Sequence, residues 1–79
     1  MNMDSKNLSV LAYSNGFTMW HYKTESEKSE VEAIGYFNKV ANIFNVGDVL
    51  FMTVGSETKQ TSMYVVNSVE NDVVISSLN

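Results

Sequence analysis

The chain has 79 residues, a mass of 8.9 kDa, no Cys, no Pro and a formal net charge of −4. That length holds one domain and excludes a dinucleotide-binding unit with a substrate domain, a (β/α)₈ barrel and any multidomain enzyme. Five Lys, no Arg and nine Asp and Glu leave no basic stripe for nucleic acid, no guanidinium fork for phosphate and no cationic patch for a membrane surface.

Residues 1–7, Met1, Asn2, Met3, Asp4, Ser5, Lys6 and Asn7, are polar overall and lack the apolar region of a signal peptide. They are expected to form a flexible lead-in to a single β-rich domain over residues 8–79. The chain is expected to be complete rather than processed, and made in a cytoplasm. No apolar run reaches the roughly 20 residues of a membrane-spanning helix.

Residues 8–13, Leu-Ser-Val-Leu-Ala-Tyr, read as a strand, and residues 17–23 as its return. Asn15-Gly16 between them is the signal of a type I′ hairpin turn, because both residues tolerate positive φ. Residues 24–32 carry four Glu and one Lys and read as a solvated loop. They lack the alternating Asp and Asn and the turn Gly of a calcium loop. Phe37, Val40, Ala41 and Phe44 fall at i, i+3, i+4 and i+7, which predicts a helix over residues 36–44 with its apolar stripe in the core. Asn45-Val46-Gly47-Asp48 ends it with turn residues.

Residues 49–54, 61–69 and 73–78 then read as three strands of an antiparallel meander, with polar turns at 55–60 and 70–72. The order is ββ–α–βββ. The fold class is mainly β, a small barrel-like or sandwich domain with one short helix.

The strands depart from the alternation of a half-buried sheet. Phe17, Met19 and His21 face away from Thr18, Trp20 and Tyr22, yet both sets are largely apolar. Val49, Phe51 and Thr53 against Leu50, Met52 and Val54 repeat the pattern. One short helix covers one face, so either the sheet curls until neighbours cover the ends of its strands or, the expectation preferred for so small a core, the second face meets another subunit. A domain of this size buries only roughly 60% of its unfolded surface. Small domains compensate with disulfides, metals or oligomerisation, and the absence of Cys leaves oligomerisation open. Met19, Trp20, His21 and Tyr22 are the expected interface or ligand-contact residues, since Trp, Tyr and Met are enriched at interfaces. The competing reading makes Trp20 a central core residue.

His21 is the only imidazole. A Ser14–His21–Asp triad with Asp48 or Asp72 can be drawn, but there is no Gly-x-Ser-x-Gly elbow and no Gly-rich phosphate loop. A metal would need His21 with Glu25 or with a symmetry copy. The chain is therefore read as a non-enzyme with no catalytic, cofactor or metal residues. Trp20, His21 and Tyr22 could alternatively form a sugar-stacking platform.

The run from Leu8 to Thr24, with Val-Leu-Ala-Tyr-Ser-Asn-Gly-Phe-Thr-Met-Trp-His-Tyr-Lys-Thr from Val10 on, resembles the opening of small proteins of tailed bacteriophages and prophages. Gly35-Tyr36-Phe37 and Gly47-Asp48 extend that resemblance to the strand ending at Val54. Residues 24–32 match no part of it. The resemblance implies a virion structural protein, a capsid decoration or cement protein. Such a protein would form a homo-oligomer, expected as a homotrimer, in contact with the major capsid protein or other virion proteins. It implies a virion location, no nucleic-acid or membrane partner, and no catalytic residues. The alternative is a receptor- or glycan-binding knob or fibre-tip module; a weaker one is an intracellular phage regulator that binds a host protein.

Overall fold

A computed structural model describes residues 3–14 and 16–78. Five strands form one mixed sheet: β1 (Leu8–Ser14), β2 (Phe17–Lys23), β3 (Val49–Val54), β4 (Gln60–Ser68) and β5 (Val74–Ser77), in spatial order β1-β2-β3-β4-β5. The mainly-β class and the ββ–α–βββ order are as expected. The β1–β2 hairpin is antiparallel and ends on the pair Ser14 and Phe17. Gly16 has φ 82°, as a tight turn requires; Asn15 lies outside the described residues. The β3–β4–β5 meander is antiparallel throughout.

The two halves meet through a parallel pairing of β2 with β3, with Met19 opposite Val49 and Tyr22 opposite Met52. Parallel neighbours need a long crossover, and residues 24–48 supply it. This segment lies over one face of the sheet and closes the core. Trp20, Tyr22, Leu50, Met52, Tyr64 and Val66 point into it from the strands, and Val31, Phe37, Val40 and Phe44 come down from the crossover. Phe37 packs edge-on against Tyr22 at 5.1 Å between ring centroids, and Phe44 lies 5.3 Å from Trp20.

The crossover differs from the predicted helix over residues 36–44. Successive turns occupy that stretch, with a single 3-10 turn at Asn38–Val40. The bonds Asn38 N–H to Gly35 O, Val40 N–H to Phe37 O and Ala41 N–H to Asn38 O all span three residues. The apolar positions Phe37, Val40 and Phe44 are buried as the periodicity predicts. The continuous helix fails because the segment is rich in Asn and aromatic residues, which are weak helix formers. Asn38 also binds outward: its side-chain oxygen accepts from Val73 N–H at 2.7 Å and its amide donates to Asp72 at 2.9 Å. The α-helix α1 (Lys28–Val31) instead lies in the stretch predicted as loop. Val31 is its buried anchor, and the Glu30 carboxylate accepts from Glu27 N–H at its start.

The expected lead-in is also tied down over its described part. Met3 is buried in the core, a 3-10 turn spans Ser5–Asn7, and Asp4 N–H donates to the Tyr22 hydroxyl at 3.0 Å.

The crossover is closed at its far end by Asp48, 1% exposed. Its carboxylate accepts from Thr18 N–H at 3.2 Å, Trp20 Nε1–H at 3.0 Å and Asn45 N–H at 3.0 Å. Its backbone carbonyl accepts from Val66 N–H at 2.9 Å. Replacing Asp48 by Ala leaves three donors without an acceptor, at about 1–3 kcal/mol for each one buried. Asp48→Ala is expected to lose roughly 3 kcal/mol or more in urea unfolding, and Asp48→Asn, which keeps one acceptor oxygen, less. A second expectation concerns Gly55, at φ 104°, where a Cβ would stand 2.2 Å from the Thr58 carbonyl oxygen. Gly55→Ala is expected to lower the thermal midpoint by several degrees, because backbone rather than a flexible side chain must yield.

Candidate interaction surface

The strand register assigns the four predicted contact residues to opposite faces. Trp20 and Tyr22 lie on the covered face with Leu50 and Met52; Met19 and His21 lie on the open face with Val49 and Phe51. Trp20 is 7% exposed and Tyr22 fully buried. Of the four expected contact residues, Met19 and His21 are therefore left on the open face, Tyr22 is buried, and Trp20 takes the competing place of a core residue. Alternation along β2 separates neighbours in sequence onto opposite sides, and the crossover buries one set. The sugar-stacking platform of Trp20, His21 and Tyr22 falls with it.

Trp20 is held by Asp48 and Phe44. The Tyr22 hydroxyl, which accepts from Asp4 N–H, also shares a 3.1 Å hydrogen bond with the Tyr36 hydroxyl. Burial, and next the bond with Tyr36, push the Tyr22 hydroxyl up to about 12. Tyr64 donates to the Glu32 carboxylate at 2.7 Å, pinning the crossover to β4. Its hydroxyl is also raised, by burial first and then by that carboxylate.

On the open face, His21 Nε2 lies 3.2 Å from Thr53 Oγ1, which bonds Thr61 Oγ1 at 3.0 Å. This polar row crosses β2, β3 and β4. Around it stand Met19, Val49, Phe51 and Val65, all partly exposed, and Met63, 40% exposed. The face carries no acid, and its one charge is Lys23, paired with Thr53 at its margin. Lys23 is the one charged residue in the five strands. The exposed acids Asp4, Glu25, Glu27, Glu32, Glu57, Glu70 and Asp72 all sit on the N-terminal turn, the crossover or the loops.

The drawn triad does not assemble. His21 bonds Thr53 on the open face, Asp48 is consumed by its three donors on the covered side, and Asp72 binds Asn38 beside β5. The side chain of Ser14 lies outside what the structure describes. Among the described residues, no three His, Asp or Glu side chains gather as metal ligands, and no buried side-chain polar atom lacks a partner. An open cleft of about 620 Å³ brings Asp4, Lys23, Glu25 and Lys59 together. Its two acids oppose its two lysines, and Lys59 is bonded to Gly55 O at 2.9 Å.

No known protein family, curated protein or solved structure matches this chain.

Sequence reasoning missed two features. The first is the anchoring role of Asp48, whose Gly47-Asp48 context has the composition of a turn. The second is the exposure of the apolar β1 residues Val10, Leu11 and Tyr13, at 56%, 54% and 69%. Their signal is a strand with neither charge nor Pro.

Two measurements follow from this geometry. Trp20 is expected to emit at short wavelength and resist acrylamide quenching at concentrations where the chain is monomeric, because its burial is internal. Tyr22 holds its proton more tightly when folded than a free Tyr at about 10. The stability it contributes is full below pH of about 10 and lost as pH rises through 12. Urea midpoints are expected to fall across that window, and less steeply in Tyr22→Phe.

Proposed function

We propose that this chain is a non-enzymatic structural protein of a phage particle, a decoration or cement protein that self-associates and adds apolar contact to the particle surface. The observation that carries the assembly reading is the open face of β2, β3 and β4, apolar, partly exposed and free of acids on a chain of net charge −4. The exposed acids lie on the N-terminal turn, the crossover and the loops and none lies on this face, the arrangement of an interface core. The phage setting is supported by the resemblance of residues 8–24.

The mechanism follows from size. Three strands about 4.8 Å apart and roughly six residues long present an area of roughly 300 Å². A stable pairwise interface needs about 800 Å² per partner. One copy therefore binds weakly, and many copies on a repeating surface hold it together by multivalency. The particle gains resistance to heat and internal pressure from the summed contacts.

Of the residues named for the receptor- or glycan-binding alternative, Met19 and His21 lie on the open face while Trp20 and Tyr22 are buried.

Mass spectrometry of purified particles tests the reading, with the chain expected at a copy number in proportion to the shell. Its absence from particles would overturn it. Phe51→Lys, placed on the open face, is expected to keep the fold by circular dichroism and to weaken co-sedimentation with particles at least tenfold.

A further inference from the structure

We propose that β1 is the pairing edge for a second copy of this chain: two β1 strands run antiparallel across a twofold axis at Leu11 and join two sheets into one. This pairing rests on the self-association proposed above and names the surface that performs it.

The sheet has two edges, and they differ. β5 spans four residues; β1 spans seven. Soluble proteins blunt long edges with charge, Pro or a bulge, because unpaired N–H and C=O groups recruit another strand. β1, Leu-Ser-Val-Leu-Ala-Tyr-Ser, has no charged residue and no Pro. Its Val10, Leu11 and Tyr13 side chains are more than half exposed. Its one blunting device is a bulge, where the register to β2 shifts between Val10 and Ala12.

The bulge selects the register. Residues 8–10 and 12–14 remain extended on either side of Leu11. A twofold axis at Leu11 sets residues 8–10 of one copy beside 12–14 of the other, so both bulges fall on the axis. Val10 then lies opposite the partner's Ala12, and the two Leu11 side chains meet.

Charge selects the occupant. A chain of net charge −4 repels its own copies except where its acids are absent. The β1 edge meets that condition. The adjoining Lys6 residues of the two copies end up at opposite ends of the antiparallel pair. Joining the sheets also sets two open faces side by side, roughly doubling the apolar area available to a particle. Such a pair closes on itself, so the unit it builds is a dimer and not the trimer implied by the family resemblance.

The absence of Cys makes the test clean. Opposed residues of an antiparallel pair have Cα atoms about 4.5–5.5 Å apart, within the roughly 4.4–6.8 Å of a disulfide. Under mild oxidant, Leu11→Cys is expected to give a covalent dimer, and Ile34→Cys, 71% exposed on the crossover, to give at least tenfold less. Equal cross-linking of the two would overturn the pairing. So would preferential cross-linking of Met63→Cys, which would move the contact to the open face. By size exclusion with light scattering, the unmodified chain is expected at dimer mass and Val10→Lys at monomer mass; a Val10→Lys dimer counts against the edge. Particle co-sedimentation separates the two proposals. A monomeric chain that still binds particles sinks the pairing alone, and a β1-linked dimer that binds none sinks the virion reading alone.

Discussion

The carboxylate of Asp48 is the knot on which the domain depends. A buried carboxylate is unfavourable unless its oxygens are filled by hydrogen bonds, and three donors fill these. One is the Thr18 amide of β2, one the Trp20 indole, and one the Asn45 amide of the crossover. The same residue lends its backbone carbonyl to Val66 of β4. One side chain thus fixes where β3 begins against β2, which way the Trp20 ring faces, and where β4 aligns. The packing of Trp20 on Phe44 is downstream of that orientation.

Much of the sheet was legible in the sequence, because strand signals are local. Asn15-Gly16 between β-rich runs marks a hairpin, and Glu70-Asn71-Asp72 between apolar runs marks a turn. The apolar residues on both faces of residues 49–54 split by alternation, Val49 and Phe51 remaining partly exposed while Leu50 and Met52 are buried. The crossover was less legible. The spacing of Phe37, Val40 and Phe44 tells which residues face inward, but turns of three residues place them inward as well as a helix does.

The contact residues were half legible for a related reason. Composition singles out Met19, Trp20, His21 and Tyr22 as a group, and only strand alternation tells which of them look outward. Which parity is covered depends on where the crossover lands, a tertiary fact with no local signature. Asp48 was hidden because Gly47-Asp48 has the composition of any turn. Its role appears only when Trp20, 28 residues earlier, comes within hydrogen-bond reach.

The parallel seam between β2 and β3 has a kinetic consequence. The β1–β2 hairpin and the β3–β4–β5 meander are each built from neighbours in sequence and can close early, while the seam must wait for residues 24–48 to span the sheet. The molecule is therefore two local antiparallel units that dock late. Substitutions in the seam should act mainly on the unfolding rate and those in the meander on the folding rate, a division that φ-values for Leu50 and Val66 would read. In the interval before docking, the edge of β2 that meets β3 is bare, and a second chain can complete the seam in place of its own β3. Domain exchange at this joint is the misassembly to which the topology is most exposed.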